Sequence, residues 1–206
     1  MVSFPRHSAA SHLSYFGRHG DAQDIGNPRW AVYTHVERRH IHNLRLDSEN
    51  NERPRPPSGK GFRFAIVASR WNEALVSRLI AGAFEALREA SAADEAIEVY
   101  RVPGSFELPL CALKAATSKK FDAVICLGVI IRGETPHFDF IASEAARGIG
   151  EAGLKTGIPV LFGVITAESV DQANARAASR QDNKGYEAAL AAVELVNLYR
   201  DAFGSN

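Results

Sequence analysis

Cysteine is scarce in this sequence: Cys111 and Cys126 are the only two in 206 residues. Both sit in apolar runs, and their spacing fits neither a metal site nor a redox pair. A disulfide scaffold is therefore excluded, and a buried, reduced pair in an intracellular protein is expected. Surplus charge is absent as well. Lys and Arg number 24, as do Asp and Glu, which argues against a nucleic-acid or membrane-surface partner drawn by bulk charge. No apolar run reaches the roughly 18 residues of a spanning helix. No Walker loop, Gly-x-Ser-x-Gly elbow or regular metal-ligand spacing occurs, so the chemistry is expected to need neither a metal nor a covalent nucleophile. Histidine is unevenly distributed: six of the seven lie within the first 42 residues, which leaves His137 alone in the remainder.

The first sixty residues are rich in His, Arg, Ser, Asn and Pro, show no sustained periodicity, and end in NNERPRPPSGKG. Such a composition suits an extension and linker rather than a core. No apolar segment of a secretory signal follows Met1. Asp21, Asp24, Glu37, Asp47, Glu49 and Glu52 are out of place in an organelle-targeting peptide. Residues 1–60 are accordingly expected to be a disordered or loosely attached extension. Residues 61–206 then form one domain, in a chain whose 46% hydrophobic content supports a substantial core. The histidines of the extension are too irregularly spaced to specify a metal site.

From Phe62 the pattern becomes regular. FRFAIVAS (62–69), IEVYRVPG (97–104), DAVICLGVII (122–131) and IPVLFGVIT (158–166) are short apolar or β-branched runs, as expected of strands covered on both faces. After the first of them, Leu75, Val76, Leu79, Ile80, Ala83, Phe84 and Leu87 recur at helical spacing, with Asn72 as the expected N-cap. A second helix is expected over 105–118, kinked or delayed by Pro109. A third runs from about 136 to 154, with Thr135 as N-cap and Pro136 in the first position. Ser169-x-x-Gln172 makes a capping box for a fourth, and NKGYEAALAAVELVNLYRDAF supplies the last. Strands alternating with helices imply a parallel sheet wrapped on both faces, and such sheets bind ligands outside the carboxyl ends of their strands.

The candidate site residues are therefore those that follow each strand: 69–72, 103–107, 132–137 and 166–169. The third strand end, VIIRGETPHFDF, is the richest. Gly133 permits a sharp turn and close approach of a ligand, the free amides of a helix start attract an anion, and His137 would stand beside it as a base. The plain alternative is that His137 caps or packs. Trp71 could stack a planar ring or merely edge the core. Ser105 and Glu107 could hydrogen-bond a polyhydroxylated chain or simply serve a helix start. Arg176 and Arg180 have plain solvation as their alternative.

In order along the chain, IVASRWNEAL, VPGSFELP, GVIIRGETPHFDFIASEAARGI, IPVLFGVIT and NARAASRQDNKGYEAALAAVEL resemble the 6,7-dimethyl-8-ribityllumazine synthase family over about residues 62–203, and IRGETPHFD is a highly specific block. The resemblance implies a three-layer α/β/α fold with a four-stranded, mainly parallel, flavodoxin-like sheet. It implies a transferase that condenses 5-amino-6-(D-ribitylamino)uracil with 3,4-dihydroxy-2-butanone 4-phosphate, giving 6,7-dimethyl-8-ribityllumazine, phosphate and water in the penultimate step of riboflavin biosynthesis. No cofactor and no metal are implied. A cytoplasmic homo-oligomer is expected, a pentamer or a pentamer-based capsid, with riboflavin synthase as a further candidate partner and neither nucleic acid nor membrane.

By position, His137 matches the histidine that assists proton transfers. Arg176 matches the arginine that binds the substrate phosphate, together with the backbone of Gly133, Glu134 and Thr135. Trp71 takes the place of the aromatic that stacks on the pyrimidine. Asn72, Ser105, Phe106 and Glu107 line the pyrimidine and ribityl pocket, with backbone at Ile130 and Ile131. Lys184 aligns with a basic residue near the site, and Phe162 with an aromatic contributed by the adjacent subunit. Two departures stand out. Capsid-forming relatives often carry Gly-x-Lys-x-Gly-Asn where this chain has ASRQDN (178–183), with the length kept and the glycines gone. The long N-terminal extension is also foreign to the family pattern.

Overall fold

The structure is a computed structural model that describes residues 57–204. The expected extension lies, through residue 56, outside the described residues, and so do its six histidines. Four parallel strands, β1 (Phe64–Ser69), β2 (Ile97–Val102), β3 (Ala123–Ile131) and β4 (Val160–Ala167), form one sheet in the order β2-β1-β3-β4. Each matches an expected apolar run to within two residues at either end, β4 running one residue past its expected end at Thr166. Every residue of central β1 is buried, as is all of β3 but Ile131. The edge strands β2 and β4 mix buried, half-buried and exposed positions.

The strand order determines where the helices go. From β1 the chain crosses one way to β2, then returns the other way past β1 to reach β3. Right-handed crossovers in opposite directions must lie on opposite faces. Hence α1 (Glu73–Glu89) covers one face with α4 (Val170–Arg176) and α5 (Lys184–Phe203), packing on Phe64, Ile66 and Ala68. Helices α2 (Leu108–Thr117) and α3 (His137–Thr156) cover the other, over Ala65 and Val67. This is the three-layer α/β/α arrangement, with the doubly wound order of flavodoxin-like sheets. Cys126 lies wholly inside, where burial pushes its thiol far up and keeps it protonated.

Several helix starts differ from expectation for local reasons. Asn72 precedes α1 but is not a side-chain cap: its backbone is left-handed (φ 58°) and its amide is used elsewhere. Ser105–Glu107 form a single 3-10 turn and α2 follows with Pro109 in its first turn, the delayed start expected of that proline. Regular helix in α3 begins at His137, not Pro136. The Asp139 N–H bonds to Pro136 O over three residues (3.1 Å), which makes Pro136 the cap and leaves Thr135 outside. The box at α4 is shared: Ser169 Oγ accepts from Gln172 N (3.2 Å), while Gln172 Oε1 accepts from Glu168 N (2.8 Å).

Helices α1 and α5 meet at a joint of small residues. A Cβ on Gly185 would lie 2.0 Å from the Leu79 carbonyl oxygen, and one on Gly82 would lie 2.5 Å from Asn183 Oδ1. Buried Asn183 caps α5 by accepting from the N–H groups of Gly185 (2.9 Å) and Tyr186 (3.1 Å). Its Nδ2 donates to Arg78 O (3.0 Å) and Ala178 O (3.3 Å). The intervening loop is closed by a bridge between Ala177 and Asn183, and Arg180 reaches back to Glu85 (3.1 Å) and Glu89 (2.9 Å). Asn183→Ala leaves the two amides of the α5 start without their cap and removes both Nδ2 bonds, and is expected to cost roughly 2–4 kcal/mol. Gly185→Ala forces backbone against backbone and is expected to cost about 3 kcal/mol or more. Denaturant midpoints at fixed protein concentration check both.

Candidate active site at the strand ends

The crevice opens where the sheet order reverses, between the carboxyl ends of β1 and β3. Beyond β1 the chain stays zipped to β2: Arg70 N donates to Val102 O (2.8 Å) and Trp71 N to Pro103 O (3.3 Å). This holds Trp71 out on the rim, 73% exposed, against a hollow of about 380 Å³ lined by Arg70, Trp71, Asn72 and Pro103. Arg101 braces the same corner, donating to Ser69 O (3.0 Å) and pairing with Glu73. Strand β3 outruns β1, since their pairing ends at Leu127. Asn72 Nδ2 fills the next place in the ladder by donating to Val129 O (2.9 Å). Its left-handed backbone, which Asn tolerates better than most residues, aims the side chain there.

Beneath the rim lies a small polar floor. A Cβ on Gly128 would stand 2.6 Å from Ser105 Oγ and 3.3 Å from Ser69 Oγ, so only glycine lets both hydroxyls converge here. Ser105 is buried, and the fully buried Ser69 Oγ has no hydrogen-bond partner among the described residues. Phe106 beside it is more than half exposed. Glu107 Oε2 accepts from Gly104 N (2.8 Å), so part of its carboxylate serves the turn.

At the β3–α3 turn, residues 132–137 are all exposed, and His137 is the first residue of α3. No backbone hydrogen bond among the described residues engages the amides of Gly133, Glu134 or Thr135. These three amides, just before the start of α3, are therefore free of backbone partners among the described residues. Arg132 brackets the turn. Its Nη1 and Nη2 donate to Asp139 Oδ2 (3.0 Å) and Oδ1 (2.8 Å), and its Nε to Glu168 Oε2 (2.7 Å). Its hydrogen bonds hold the Asp139 carboxyl below the usual carboxylate range.

Trp71, Asn72, Ser105, Phe106, Glu107, Gly133, Glu134, Thr135 and His137 thus gather at one end of the sheet. Ile130 and Ile131 stand at the end of β3, in register with Thr166 and Ala167. Three other candidates stand apart. Phe162 sits low on β4, five positions before Ala167 and so roughly 16 Å from the strand end, yet is 42% exposed. Arg176 ends α4 on the opposite face of the sheet, exposed and without an ion-pair partner among the described residues. Lys184 opens α5 on that face, paired with Glu187 (2.8 Å). Because Gly185 meets Leu79, six residues into α1, Lys184 stands roughly 9 Å below the rim. Arg132 and Ser69 fall within the candidate stretches, but reading the sequence assigned neither a role of its own. Arg132's partners lie 7 and 36 residues away, and only the fold reveals that the Ser69 hydroxyl is buried without a bond.

The family described as 6,7-dimethyl-8-ribityllumazine synthase matches residues 61–200. The chain belongs to this family. Proteins named 6,7-dimethyl-8-ribityllumazine synthase from Chlorobium luteolum, Syntrophus aciditrophicus and Chlorobium phaeobacteroides are 51%, 50% and 53% identical to it. Those matches cover 70%, 68% and 69% of this chain and 93%, 92% and 92% of the three proteins. Every candidate site residue of this lumazine synthase family member falls inside the matched region. Asn72→Ala removes the bond to Val129 and places alanine in a left-handed conformation, at an expected cost of about 1–2 kcal/mol. Asn72→Gly loses only the bond and is expected to fall between wild type and alanine, read from thermal or denaturant midpoints.

Proposed function

We propose that the strand-end crevice carries out the reaction of the family: condensation of 5-amino-6-(D-ribitylamino)uracil with 3,4-dihydroxy-2-butanone 4-phosphate to give 6,7-dimethyl-8-ribityllumazine, phosphate and water. The observation that carries this reading is the unbonded run of amides at Gly133, Glu134 and Thr135, with His137 in the next helical turn. The pyrimidine stacks on Trp71. Asn72, whose amide nitrogen is committed to Val129, offers its Oδ1; Ser105, Phe106, Glu107 and the backbone of Ile130 and Ile131 receive the rest of the pyrimidine and the ribityl chain. The ketone's phosphate rests on the amides of the α3 start, where aligned peptide dipoles favour a negative charge.

The uracil's primary amine attacks the ketone carbon, and loss of water gives an imine. Removal of a proton from the adjacent hydroxyl-bearing carbon expels the phosphate and leaves an enol. The enol takes up a proton at its terminal carbon to become a methyl ketone. The ribityl-bearing nitrogen then closes the ring on the neighbouring carbonyl carbon with loss of a further water. Each step moves a proton or releases an anion. One imidazole and a preorganised anion site are adequate tools, and positioning two substrates in one crevice supplies much of the rest.

The reading extends to a homo-oligomer, with the pentamer as the family's minimum. Phe162, Arg176 and Lys184 stand outside the crevice of their own chain, which suits residues that complete a neighbour's crevice. Trp71, Phe106, Phe140 and Phe162 expose aromatic surface that an assembly would cover. A cytoplasmic location accords with the two free thiols, and riboflavin synthase, which consumes the lumazine, is the partner this chemistry implies.

His137→Ala is expected to lower kcat roughly a hundredfold with little change in either KM. Arg176→Ala is expected to raise KM for the phosphorylated ketone about tenfold while KM for the uracil holds. Absorbance or fluorescence of the lumazine formed from both substrates reads these out. Wild-type rates and unchanged KM values in both variants would show the roles to be misassigned.

A further inference from the structure

The turn that offers its amides to phosphate has nothing packed over it. Residues 133–137 are exposed, a Cβ on Gly133 would meet no atom within 4 Å, and the amides of Gly133, Glu134 and Thr135 hold no backbone bond among the described residues. A glycine-containing loop so placed would sample many conformations unless its ends were fixed. Both ends are fixed by one side chain. Arg132, at the end of β3, grips Asp139 in the first turn of α3 through two parallel bonds and Glu168 just beyond β4 through a third. Its guanidinium carbon lies 4.1 Å from the centre of the Phe138 ring, and its backbone N–H bonds to Ala167 O (2.9 Å).

We propose that Arg132 is a positioning residue for the phosphate site: by tying Asp139 and Glu168 to the end of β3 it closes residues 132–139 into a ring and holds the Gly133–Thr135 amides and His137 in one geometry. The inference rests on the reading that those amides receive the ketone's phosphate. An arginine beside a phosphate site would ordinarily be taken as a ligand of that phosphate. Here its fork and its Nε are already committed to carboxylates. One guanidinium between two carboxylates also leaves a net negative cluster, which repels a phosphate more than it attracts one. Exposed ion pairs are individually weak. The bidentate geometry, the third bond and the aromatic contact make this cluster a device for orientation, whose failure would be felt as misplacement of a bound group rather than as unfolding.

The two roles predict opposite signs. Full-length Arg132→Lys, Asp139→Asn, Glu168→Gln and the Arg132→Lys/Asp139→Asn double variant are assayed for kcat, for both KM values and for inhibition by inorganic phosphate. For a positioning residue, each single variant raises the KM of the phosphorylated ketone and the phosphate inhibition constant by roughly three- to tenfold. The double variant is no worse than Arg132→Lys alone, and KM for the uracil moves less than about twofold. If Asp139→Asn or Glu168→Gln instead tightens phosphate, Arg132 is itself a phosphate ligand and the proposal is overturned. Unchanged constants in all variants overturn it too. Should Arg132→Lys fail to fold, the two carboxylate variants still decide the sign. Arg176→Ala runs in parallel. If it shifts phosphate inhibition while the Arg132 set does not, only the positioning role fails; if neither shifts it, the phosphate site itself lies elsewhere.

Discussion

The pairing of β1 with β3 is the constraint on which the rest of the molecule depends. Because β1 is flanked by strands reached in opposite directions, its two neighbouring crossovers must cover opposite faces of the sheet. The same reversal leaves a gap at the carboxyl end that no connecting loop bridges. In this chain the gap is deepened because β3 runs beyond its pairing with β1. The carbonyl of Val129 is thereby left without a strand partner, and Asn72 supplies one. A single amide thus ties the start of α1 to the strand that leads into the Gly133–Thr135 turn.

The architecture separates rigid support from available chemistry. Below the rim, every residue of β1 is buried and almost all of β3 is, and the Ser69–Gly128–Ser105 floor permits no larger side chain at its centre. Above it, the groups that would meet a substrate are exposed and largely uncommitted: the Trp71 ring, the amides of 133–135, and His137. Preorganisation in such a site cannot come from packing against the reacting groups themselves. It comes from polar ties one step removed, with Asn72 on one lip and Arg132 on the other.

Much of this was legible in the sequence, and what was not shares a physical cause. The four strands announced themselves because a doubly covered strand must be apolar throughout, and the strand-end rule then singled out Trp71, Ser105, Gly133 and His137 without any coordinates. The delay imposed by Pro109 followed from its missing N–H. Asn72 and Thr135 misled because a polar residue before a helix has two uses. It can cap the helix or bond elsewhere, and only the tertiary position of Val129 decides for Asn72. At Pro136 a three-residue bond displaces the expected cap by one position. Arg132 stood in plain sight inside IRGETPHFD, but a side chain whose partners lie on another strand end cannot declare its role through spacing. The separation of Arg176 and Lys184 from His137 is likewise a matter of which face a crossover takes.

The loop between α4 and α5 is pinned at both ends, by the Ala177–Asn183 bridge and by the four hydrogen bonds of Asn183. Arg176 precedes that closed ring and Lys184 follows it. Substitutions within 178–182, the stretch in which this chain lacks the glycines common in capsid-forming relatives, therefore change the outer contour of the loop and leave the two cations where they are. The outline of this edge can thus be redrawn by substitution while Arg176 and Lys184 inherit an unchanged frame.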